Sequence, residues 1–134
     1  IDRFKAINDK LGHACGDHCL REIAKTIAAQ LSEDDIFGRY GGEEFLVILP
    51  GRQTEMARAI ADQIRLAVEH CEVRHQDQLL HLTVSIGVAT QLSHEGHPQP
   101  AMERADKALY AAKRAGRNRV HVAPAVFVSR PATA

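Results

Sequence analysis

The sequence predicts an α/β domain of the α+β kind, in which helices pack on a mixed central sheet. Three observations support this prediction. Three segments carry apolar residues at helical three- and four-residue steps, two short extended runs flank Gly41-Gly42, and apolar and polar side chains alternate over residues 80–88. The 134 residues are enough for one domain with its own core but not for two.

The composition is that of an ordinary globular domain, and it argues against several functional classes. Apolar residues make up 45% of the chain and charged residues 25%, which excludes disorder and coiled-coil rods. The 17 Lys and Arg residues balance 17 Asp and Glu residues, so no overall field attracts nucleic acid or an anionic membrane. No apolar stretch approaches the roughly 20 residues that span a bilayer, and no secretory signal opens the sequence. We therefore expect a cytoplasmic protein with no nucleic-acid partner and no membrane contact.

In the first half of the chain we expect a helix and then a β-hairpin. Asp17 is a typical N-cap residue, and the apolar stripe behind it predicts a helix to about Leu31. Residues 36–40 and 43–49 are two extended runs. Gly41-Gly42 lies between them and can supply the positive φ angles of a tight turn, so the two runs should pair as a hairpin.

The second half is expected to alternate helices and strands. Thr54 can cap a helix whose apolar face ends near Val68. The elements that follow are a strand with one buried face, a helix and a short last strand, over residues 80–88, 101–115 and 118–122. Gly116 is a natural stop for the last helix. We assign residues 1–123 to the domain and residues 124–134 to a loose C-terminal tail.

The three cysteines point to reduced thiols. Cys15, Cys19 and Cys71 are an odd number in a chain without a secretory signal, which argues against a disulfide framework. Cys15 and Cys19 are four residues apart, with His13 and His18 close by, so a metal or redox module is an alternative. Their spacing is not that of a zinc finger or zinc knuckle. Buried thiols are therefore the favoured interpretation.

The string Gly41-Gly42-Glu43-Glu44-Phe45 carries chemistry that a packed core does not need. Two glycines let a bulky ligand approach the backbone, and the adjoining glutamates would point to opposite faces of the strand. Carboxylate oxygens are the ligands that Mg²⁺ prefers, and Mg²⁺ neutralises the triphosphate of a nucleotide. The alternative for this string alone is an ordinary hairpin with solvated glutamates.

Two further pairs of residues suit a guanine nucleotide. The carboxylate of Asp17 can accept from the N1 and N2 donors of guanine, while the amide of Asn8 meets an acceptor. Lys113 and Arg117 are four residues apart, so they should share one face at the end of a helix and could hold phosphates. Each pair also has a simpler explanation, because Asn8 could be a helix-surface residue, Asp17 an N-cap, and the two basic side chains solvated.

Together these segments resemble the GGDEF family of diguanylate cyclases, whose signature appears here in its GGEEF form at residues 41–45. The resemblance extends over nearly the whole chain. Its motifs are Asp2-Arg3-Phe4-Lys5-Ala6-Ile7-Asn8-Asp9, Gly12-His13, Gly16-Asp17, Arg39-Tyr40 with the signature, residues 83–88, Ala105-Asp106, Ala108-Leu109-Tyr110, Ala112-Lys113 and Gly116-Arg117-Asn118. Several ordered motifs at matching separations argue against a chance match. The resemblance implies the nucleotide-cyclase-like GGDEF fold.

The resemblance also implies a reaction and its cofactor. The domain would join two GTP molecules into cyclic di-GMP and release pyrophosphate, with Mg²⁺ or Mn²⁺ bound. Glu43 would hold the metal together with the backbone carbonyl of Ile1, and would accept the proton of the attacking 3′-hydroxyl. Glu44 would assist as a second carboxylate near the metals. The protein would mainly position the reactants, because the metals lower the hydroxyl pKa and offset the developing charge.

The same resemblance implies how GTP would be held. The substrate-binding residues it indicates are Phe4, Lys5, Asn8, Asp17, Gly41, Gly42, Lys113 and Arg117. Asn8 and Asp17 would read guanine. The backbone amides of Phe4 and Lys5 would hold the β- and γ-phosphates together with the side chains of Lys113 and Arg117. Gly41 and Gly42 would leave room for the sugar and the α-phosphate.

Each GTP must supply both a 3′-hydroxyl and an α-phosphate, and the product has two-fold symmetry. Two identical sites that face each other satisfy this geometry with one GTP apiece. We therefore expect a weakly populated homodimer that depends on an upstream sensory or dimerisation module.

Two departures from the family bear on activity and control. The family has a further Asp immediately before the position of Ile1, at the end of a central strand, and neither is within these 134 residues. A molecule that starts here is expected to be impaired in catalysis, so the alternative function is a GGDEF module that binds GTP or cyclic di-GMP without turnover. Many members also have a product site formed by an Arg and an Asp three residues later, where this chain has Ser32 and Asp35. Without the guanidinium we expect weak or absent feedback inhibition at that site.

Overall fold

The computed structural model describes residues 1–125. Its elements, in chain order, are α1 (Phe4–Leu11), α2 (His13–Ala28), β1 (Ile36–Gly41), β2 (Glu44–Ile48), α3 (Thr54–His70), β3 (Glu72–His75), β4 (Gln78–His81), β5 (Ile86–Val88), α4 (Gln99–Arg114) and β6 (Val120–Val122). The predicted α+β class is confirmed. Nearly all of the expected tail lies outside the described residues, and the domain boundary at residue 123 stays a prediction.

Within residues 1–125 the strands pair two by two. β1 pairs antiparallel with β2, β3 pairs antiparallel with β4, and β5 pairs parallel with β6. The expected mixture of parallel and antiparallel pairing is therefore present. α3 and α4 both pack on the parallel pair, and α2 packs on α3. The last strand is shorter than expected, since pairing begins only at Val120.

The first two helices differ from the sequence-based prediction. α1 is an element that the hydrophobic periodicity did not identify, and Asp17 as the start of α2 is wrong. α2 begins one turn earlier, at His13, after Gly12 with a φ of 89°. Its buried stripe already includes Cys15, so the helix extends back to bury that side chain. Asp17 is an exposed residue within α2.

The predicted hairpin is confirmed, but its turn is displaced by one residue. The pairing of β1 and β2 has an irregularity between Arg39 and Gly41. Gly42 has a φ of 51° and forms the turn together with Glu43. A left-handed residue at this position suits glycine, which has no Cβ to clash with the backbone. Glu43 thus lies in the turn, and the expectation that it alternates with Glu44 along one strand is wrong.

α3 begins at Thr54 as expected, but Thr54 is not its cap. Gln53 occupies the N-cap position and makes no side-chain capping bond. The hydroxyl of Thr54 instead pairs with the hydroxyl of Thr90, with 2.6 Å between the two oxygens. A tertiary partner has replaced the local cap, and it ties the start of α3 to the segment after β5.

The single strand predicted over residues 80–88 is interrupted. β4 ends at His81 and β5 begins at Ile86, while β4 pairs back onto β3, which the sequence pattern did not reveal. The alternation itself is correct, because Leu82 and Val84 are buried in the core. The segment between the two strands bonds the start of the chain instead, since the amide of Asp2 donates to the carbonyl oxygen of Thr83 at 2.9 Å.

The core explains the cysteines. Cys15 and Cys19 are fully buried beside Ile23, as expected. Burial and the adjacent Cys15 raise the pKa of the Cys19 thiol to about 11. A thiol that stays protonated is a poor metal ligand and a poor nucleophile, so this pair does not suit a metal or redox module.

None of the helices between residues 1 and 125 is both long and apolar enough to cross a membrane.

The loop before α4 is closed by an ion pair that should respond to acid. Both carboxylate oxygens of Glu95 accept from the guanidinium of Arg104, which also donates to the carbonyl oxygen of Thr90 at 2.8 Å. The hydrogen bonds from Arg104, with that from the amide of Leu92, lower the pKa of Glu95 from 4.5 to about 2. A lowered carboxyl pKa stabilises the fold above the ordinary pKa, and this stabilisation is lost as the pH falls through the folded value.

We therefore expect Glu95→Gln to lower the midpoint of thermal unfolding at neutral pH. The difference from the unmodified protein should shrink between pH 4.5 and about pH 2. Thermal unfolding of both proteins across that range checks the prediction. A difference that stays constant with pH would mean that the ionised carboxylate of Glu95 does not stabilise the fold.

Candidate active site

The start of the chain lies against the tip of the hairpin. The amino group of Ile1 donates to the carbonyl oxygen of Glu43 at 3.1 Å. The charges of Asp2, Lys113, Glu43 and Glu44 all act at this nitrogen. Four charged side chains from three separate parts of the chain therefore surround Ile1.

Three of these charges are free to meet a ligand. Glu43, Glu44 and Lys113 are half-buried, and none of them takes part in an ion pair within residues 1–125. The turn that carries Glu43 is stabilised by a hydrogen bond, because the Arg39 Nε donates to the carbonyl oxygen of Gly42 at 2.8 Å. Gly41 and Gly42 are exposed, and a Cβ at either would meet no atom within 4 Å. The tip is thus open.

Helix α1 begins at Phe4, three residues after Ile1. Phe4 is buried and anchors the helix, whereas Lys5 is exposed. Arg3, at the N-cap position, has a φ of 55°, and no side chain caps the helix. The first amides of an uncapped helix have no intrahelical partner and attract anions. The start of α1 is therefore uncapped by any side chain, and phosphate binding by the Phe4 and Lys5 amides stays a prediction.

Asn8 packs against Gly16, the residue before Asp17, where α1 crosses α2. Gly16 lies beneath Asn8, so closely that a Cβ on Gly16 would stand 1.8 Å from the Asn8 Oδ1. Asp17 follows Gly16 directly and is exposed, while Asn8 is half-buried. Asn8 is one helical turn, about 6 Å, beyond Phe4. Asn8 thus contacts the residue that precedes Asp17, one helical turn beyond the first amides of α1.

The contact between Gly16 and Asn8 gives a direct test. We expect Gly16→Ala to push the Asn8 side chain aside and to weaken GTP binding about tenfold, which corresponds to one lost hydrogen bond. Isothermal titration with a non-hydrolysable GTP analogue measures the change. In an Asn8→Ala background the same substitution should have little further effect. Additive losses would show that Gly16 acts through something other than Asn8.

Lys113 and Arg117 do not share a helix face, and that expectation is wrong. α4 ends at Arg114, and Gly116 follows with a φ of 125°. The amide of Arg117 then donates back to the carbonyl oxygen of Ala112 at 3.0 Å, a helix-ending motif of the Schellman type. Gly116 as the stop is confirmed. Lys113 joins the group around Ile1, whereas Arg117 lies in the loop beyond the helix.

Asp2 is a site residue to which the sequence analysis gave no role. Its side chain is only 5% exposed. Its oxygens accept from the hydroxyls of Thr83 and Ser85 at 2.7 and 2.6 Å, and from the backbone amide of Asn118 at 3.0 Å. Burial raises the pKa of this carboxyl, but the hydrogen bonds outweigh burial and hold the pKa below its ordinary value. The hydroxyl residues Thr83 and Ser85, at alternate positions of one segment, were the sequence feature that could have pointed to a buried acceptor such as Asp2.

The donor set fits Mg²⁺. This ion usually takes one or two protein carboxylates, with water and substrate phosphates completing its shell. Glu43 and Glu44 supply carboxylates that form no ion pair within residues 1–125, and Ile1 lies beside them in space although it is 42 positions from Glu43 in the sequence. Between residues 1 and 125 no group of three or more His, Cys, Asp or Glu side chains could hold a metal alone. The nucleotide would therefore supply the remaining ligands.

At the position where many family members have the product site, Asp35 is bonded to neighbouring residues of this chain. The Asp35 carboxylate accepts from the amide and hydroxyl of Ser32 at 2.8 and 3.0 Å. Arg52 forms an ion pair with the same carboxylate and donates to the Ser32 hydroxyl at 2.9 Å. The backbone amide of Ser32 and the other partners lower the pKa of Asp35. Asp35 is thus fully engaged by its own neighbours.

Comparison with known proteins identifies the family of the chain. The family described as "Diguanylate cyclase, GGDEF domain" matches residues 1–119. Diguanylate cyclase A of Treponema denticola is 44% identical over 120 residues, which are 90% of this chain and 32% of that protein. The chain spans less than a third of the length of the curated relatives to which it is similar.

Solved structures share the fold. The GGDEF domain of DgcB from Caulobacter crescentus, solved in complex with c-di-GMP, has a TM-score of 0.87 and 38% identity, covering 92% of this chain and 73% of that chain. The active GGEEF domain of a diguanylate cyclase from Vibrio cholerae has a TM-score of 0.85 and 36% identity, covering 94% and 80%. Motif, fold and the match over residues 1–119 agree, and the chain belongs to the GGDEF domain family of diguanylate cyclases.

Proposed function

We propose that this domain is a diguanylate cyclase that condenses two GTP molecules into cyclic di-GMP and two pyrophosphates. The observation that carries the proposal is the gathering of Glu43, Glu44 and Lys113 around Ile1, with no ion pair to satisfy them within the described residues. An open cluster of two carboxylates and one ammonium suits a metal-bound triphosphate better than it suits structural stability.

The residues divide the work of holding GTP. The α1 amides of Phe4 and Lys5, with Lys113, bind the terminal phosphates, and Arg117 reaches them from the loop after α4. Asn8 and Asp17 select guanine, since adenine lacks the donor pair that a carboxylate accepts. The exposed Gly41 and Gly42 leave space for the sugar and the α-phosphate. These contacts fix the α-phosphorus for in-line attack, which is the main contribution of a protein to phosphoryl transfer.

In the chemical step the 3′-oxygen of one GTP forms a bond to the α-phosphorus of the other. The bond from that phosphorus to the β-phosphate oxygen breaks, and pyrophosphate leaves. The proton of the 3′-hydroxyl passes to the Glu43 carboxylate, and Glu44 adds negative charge that favours the cation. Bound Mg²⁺ or Mn²⁺ would lower the hydroxyl pKa and neutralise the phosphates, with Glu43, Glu44 and the Ile1 carbonyl as its protein ligands. A second, symmetric transfer closes the ring.

Two copies of the domain are needed for this reaction. Each copy presents one GTP, and a two-fold axis between the open sites brings each 3′-hydroxyl to the other α-phosphate. We infer a homodimer that forms weakly by itself and is brought together by an upstream sensory or dimerisation module. Three free cysteines favour a reducing compartment, which supports a reaction in the cytoplasm.

The proposal is tested by incubating the domain, in its natural chain with the upstream residues, with GTP and Mg²⁺ and separating the products by chromatography. We expect cyclic di-GMP and pyrophosphate in a ratio of one to two, no product from ATP, and no turnover after chelation of the metal. GTP binding without any product would overturn the cyclase proposal and leave a nucleotide-binding module.

Product feedback through the Asp35 region is expected to be weak or absent. Arg52 and Ser32 already engage the carboxylate, so a guanine edge would have to displace an internal ion pair. Calorimetry with cyclic di-GMP should therefore give the same affinity for the unmodified protein and for Asp35→Ala. Tight binding that is lost in Asp35→Ala would contradict this expectation.

A further inference from the structure

A buried carboxylate connects the parts of the chain that are proposed to hold phosphate. Asp2 stands between Ile1, which contacts the hairpin tip, and Arg3, which opens α1. Its Oδ2 accepts from the Thr83 hydroxyl and from the Asn118 amide, and its Oδ1 accepts from the Ser85 hydroxyl. The backbone of Asp2 is held as well, since its amide donates to the Thr83 carbonyl oxygen at 2.9 Å.

The bond to Asn118 reaches the loop after α4. Arg117 and Asn118 have φ angles of 63° and 46°, a left-handed conformation that costs energy for residues other than glycine. Such a conformation persists only where neighbours hold it. Within residues 1–125 the amide of Asn118 is held by Asp2, and this bond spans 116 positions of the sequence.

The side chain of Asn118 extends the connection to α3. Its Nδ2 donates to Glu69 Oε2 at 2.9 Å, and its Oδ1 accepts from Arg65 Nη1 at 3.2 Å. Arg65 in turn pairs with Glu69 at 2.9 Å. Asn118 is therefore fixed from both sides, by Asp2 through its backbone and by α3 through its side chain.

We propose that Asp2 is a positioning residue that sets the distance between the amides at the start of α1 and the Arg117 side chain in the loop after α4. Asp2 does not touch the nucleotide. It fixes Phe4 and Lys5 on one side and, through Asn118, Arg117 on the other, so that the terminal phosphates meet both at once. The inference rests on the proposed GTP-binding function. It assigns the control of phosphate binding to Asp2, which acts through its neighbours and not by contact with the phosphates.

The same geometry predicts which part of the ligand is affected. Asn8 packs against Gly16 at the crossing of α1 and α2, whereas the hydrogen bonds of the Asp2 carboxylate go to Thr83, Ser85 and Asn118. Loss of the Asp2 carboxylate should therefore weaken binding of a triphosphate much more than binding of guanosine. A role in folding alone would reduce the amount of active protein without this dependence on phosphate.

Calorimetry on Asp2→Ala and Asp2→Asn tests the inference, with a non-hydrolysable GTP analogue plus Mg²⁺, and with guanosine, as probes. We expect Asp2→Ala to lower affinity for the triphosphate about tenfold or more and affinity for guanosine little, because three hydrogen bonds to a charged group are lost. Asp2→Asn should restore most of the affinity, since its amide oxygen can accept from Thr83 and Asn118 while the Ser85 hydroxyl turns to accept. In turnover assays the KM for GTP should rise more than kcat falls.

Two threonines provide a milder version of the test if Asp2→Ala does not fold. Thr83→Val removes one hydroxyl donor from Asp2, and Thr26→Val is the matched control, because the Thr26 hydroxyl donates within α2 to the carbonyl oxygen of Glu22. We expect only Thr83→Val to weaken triphosphate binding and to speed hydrogen exchange at the Asn118 amide. Equal affinities for the triphosphate in these two variants, or an equal loss for triphosphate and guanosine, would overturn the inference. If the unmodified protein binds neither probe, the proposed function itself fails.

Discussion

Replacing Glu43 by Gln is expected to reduce cyclic di-GMP formation by at least about a thousandfold while the fold is preserved. The amide keeps the size of the carboxylate but cannot accept the 3′-hydroxyl proton and has no charge for a divalent cation. The contact of Glu43 with Ile1 uses the backbone carbonyl, so the substitution leaves it intact. Product formation at saturating GTP, with circular dichroism as the check on folding, measures the effect.

Glu33→Gln is the matched control for this experiment. Glu33 is exposed in the loop before β1, at the opposite end of that strand from the hairpin tip, so the same change of charge should leave turnover within a few-fold of the original. If Glu43→Gln and Glu33→Gln had similar activities, Glu43 would have no catalytic role and the assignment of the site would be wrong.

Among the substitutions considered, Gly87→Ala is expected to lower the free energy of unfolding most, by about 3 kcal/mol or more. A Cβ on Gly87 would stand 2.0 Å from the carbonyl oxygen of Ala105 and 2.5 Å from the amide nitrogen of Leu109. Both atoms belong to the backbone of α4 and cannot move away by a side-chain rotation. β5 and α4 would have to separate, and α4 carries Lys113 into the site. Urea unfolding of the purified variant measures the loss.

Gly38→Ala separates this packing effect from the general effect of replacing a strand glycine. Gly38 lies in β1, and a Cβ there would meet no atom within 4 Å. Its substitution should be neutral or slightly stabilising, because alanine reduces the conformational entropy of the unfolded chain. Equal losses at positions 87 and 38 would contradict the close contact between β5 and α4.

The elements that the sequence predicted are those with strong local signals. α3 and α4 each show an apolar stripe over several turns, and Gly41-Gly42 marks a hairpin. The elements that were missed are short and depend on distant partners. β3 and β4 have four residues each and exist by pairing with one another, and the strand over residues 80–88 is interrupted where residues 82–85 meet Asp2 instead of a strand.

The site residues divide in the same way, into those with a local sequence signal and those that depend on distant partners. The signature turn, Asn8 with Asp17, and Lys113 could be proposed as site residues because each is part of a contiguous motif with a chemical purpose. Asp2 could not, since its partners lie 81, 83 and 116 positions away. The position of Arg117 was misjudged because helical spacing assumes that α4 continues, whereas Gly116 ends the helix before it.

A crystal structure with a non-hydrolysable GTP analogue and Mg²⁺ tests the central claim most directly. We predict one nucleotide per domain, with the terminal phosphates on the amides of Phe4 and Lys5 and on Lys113, and the metal on Glu43. Guanine should contact Asn8 and Asp17. A nucleotide bound elsewhere, or a triphosphate that leaves Glu43 and Lys113 without contact, would contradict the claim that these segments form one GTP site.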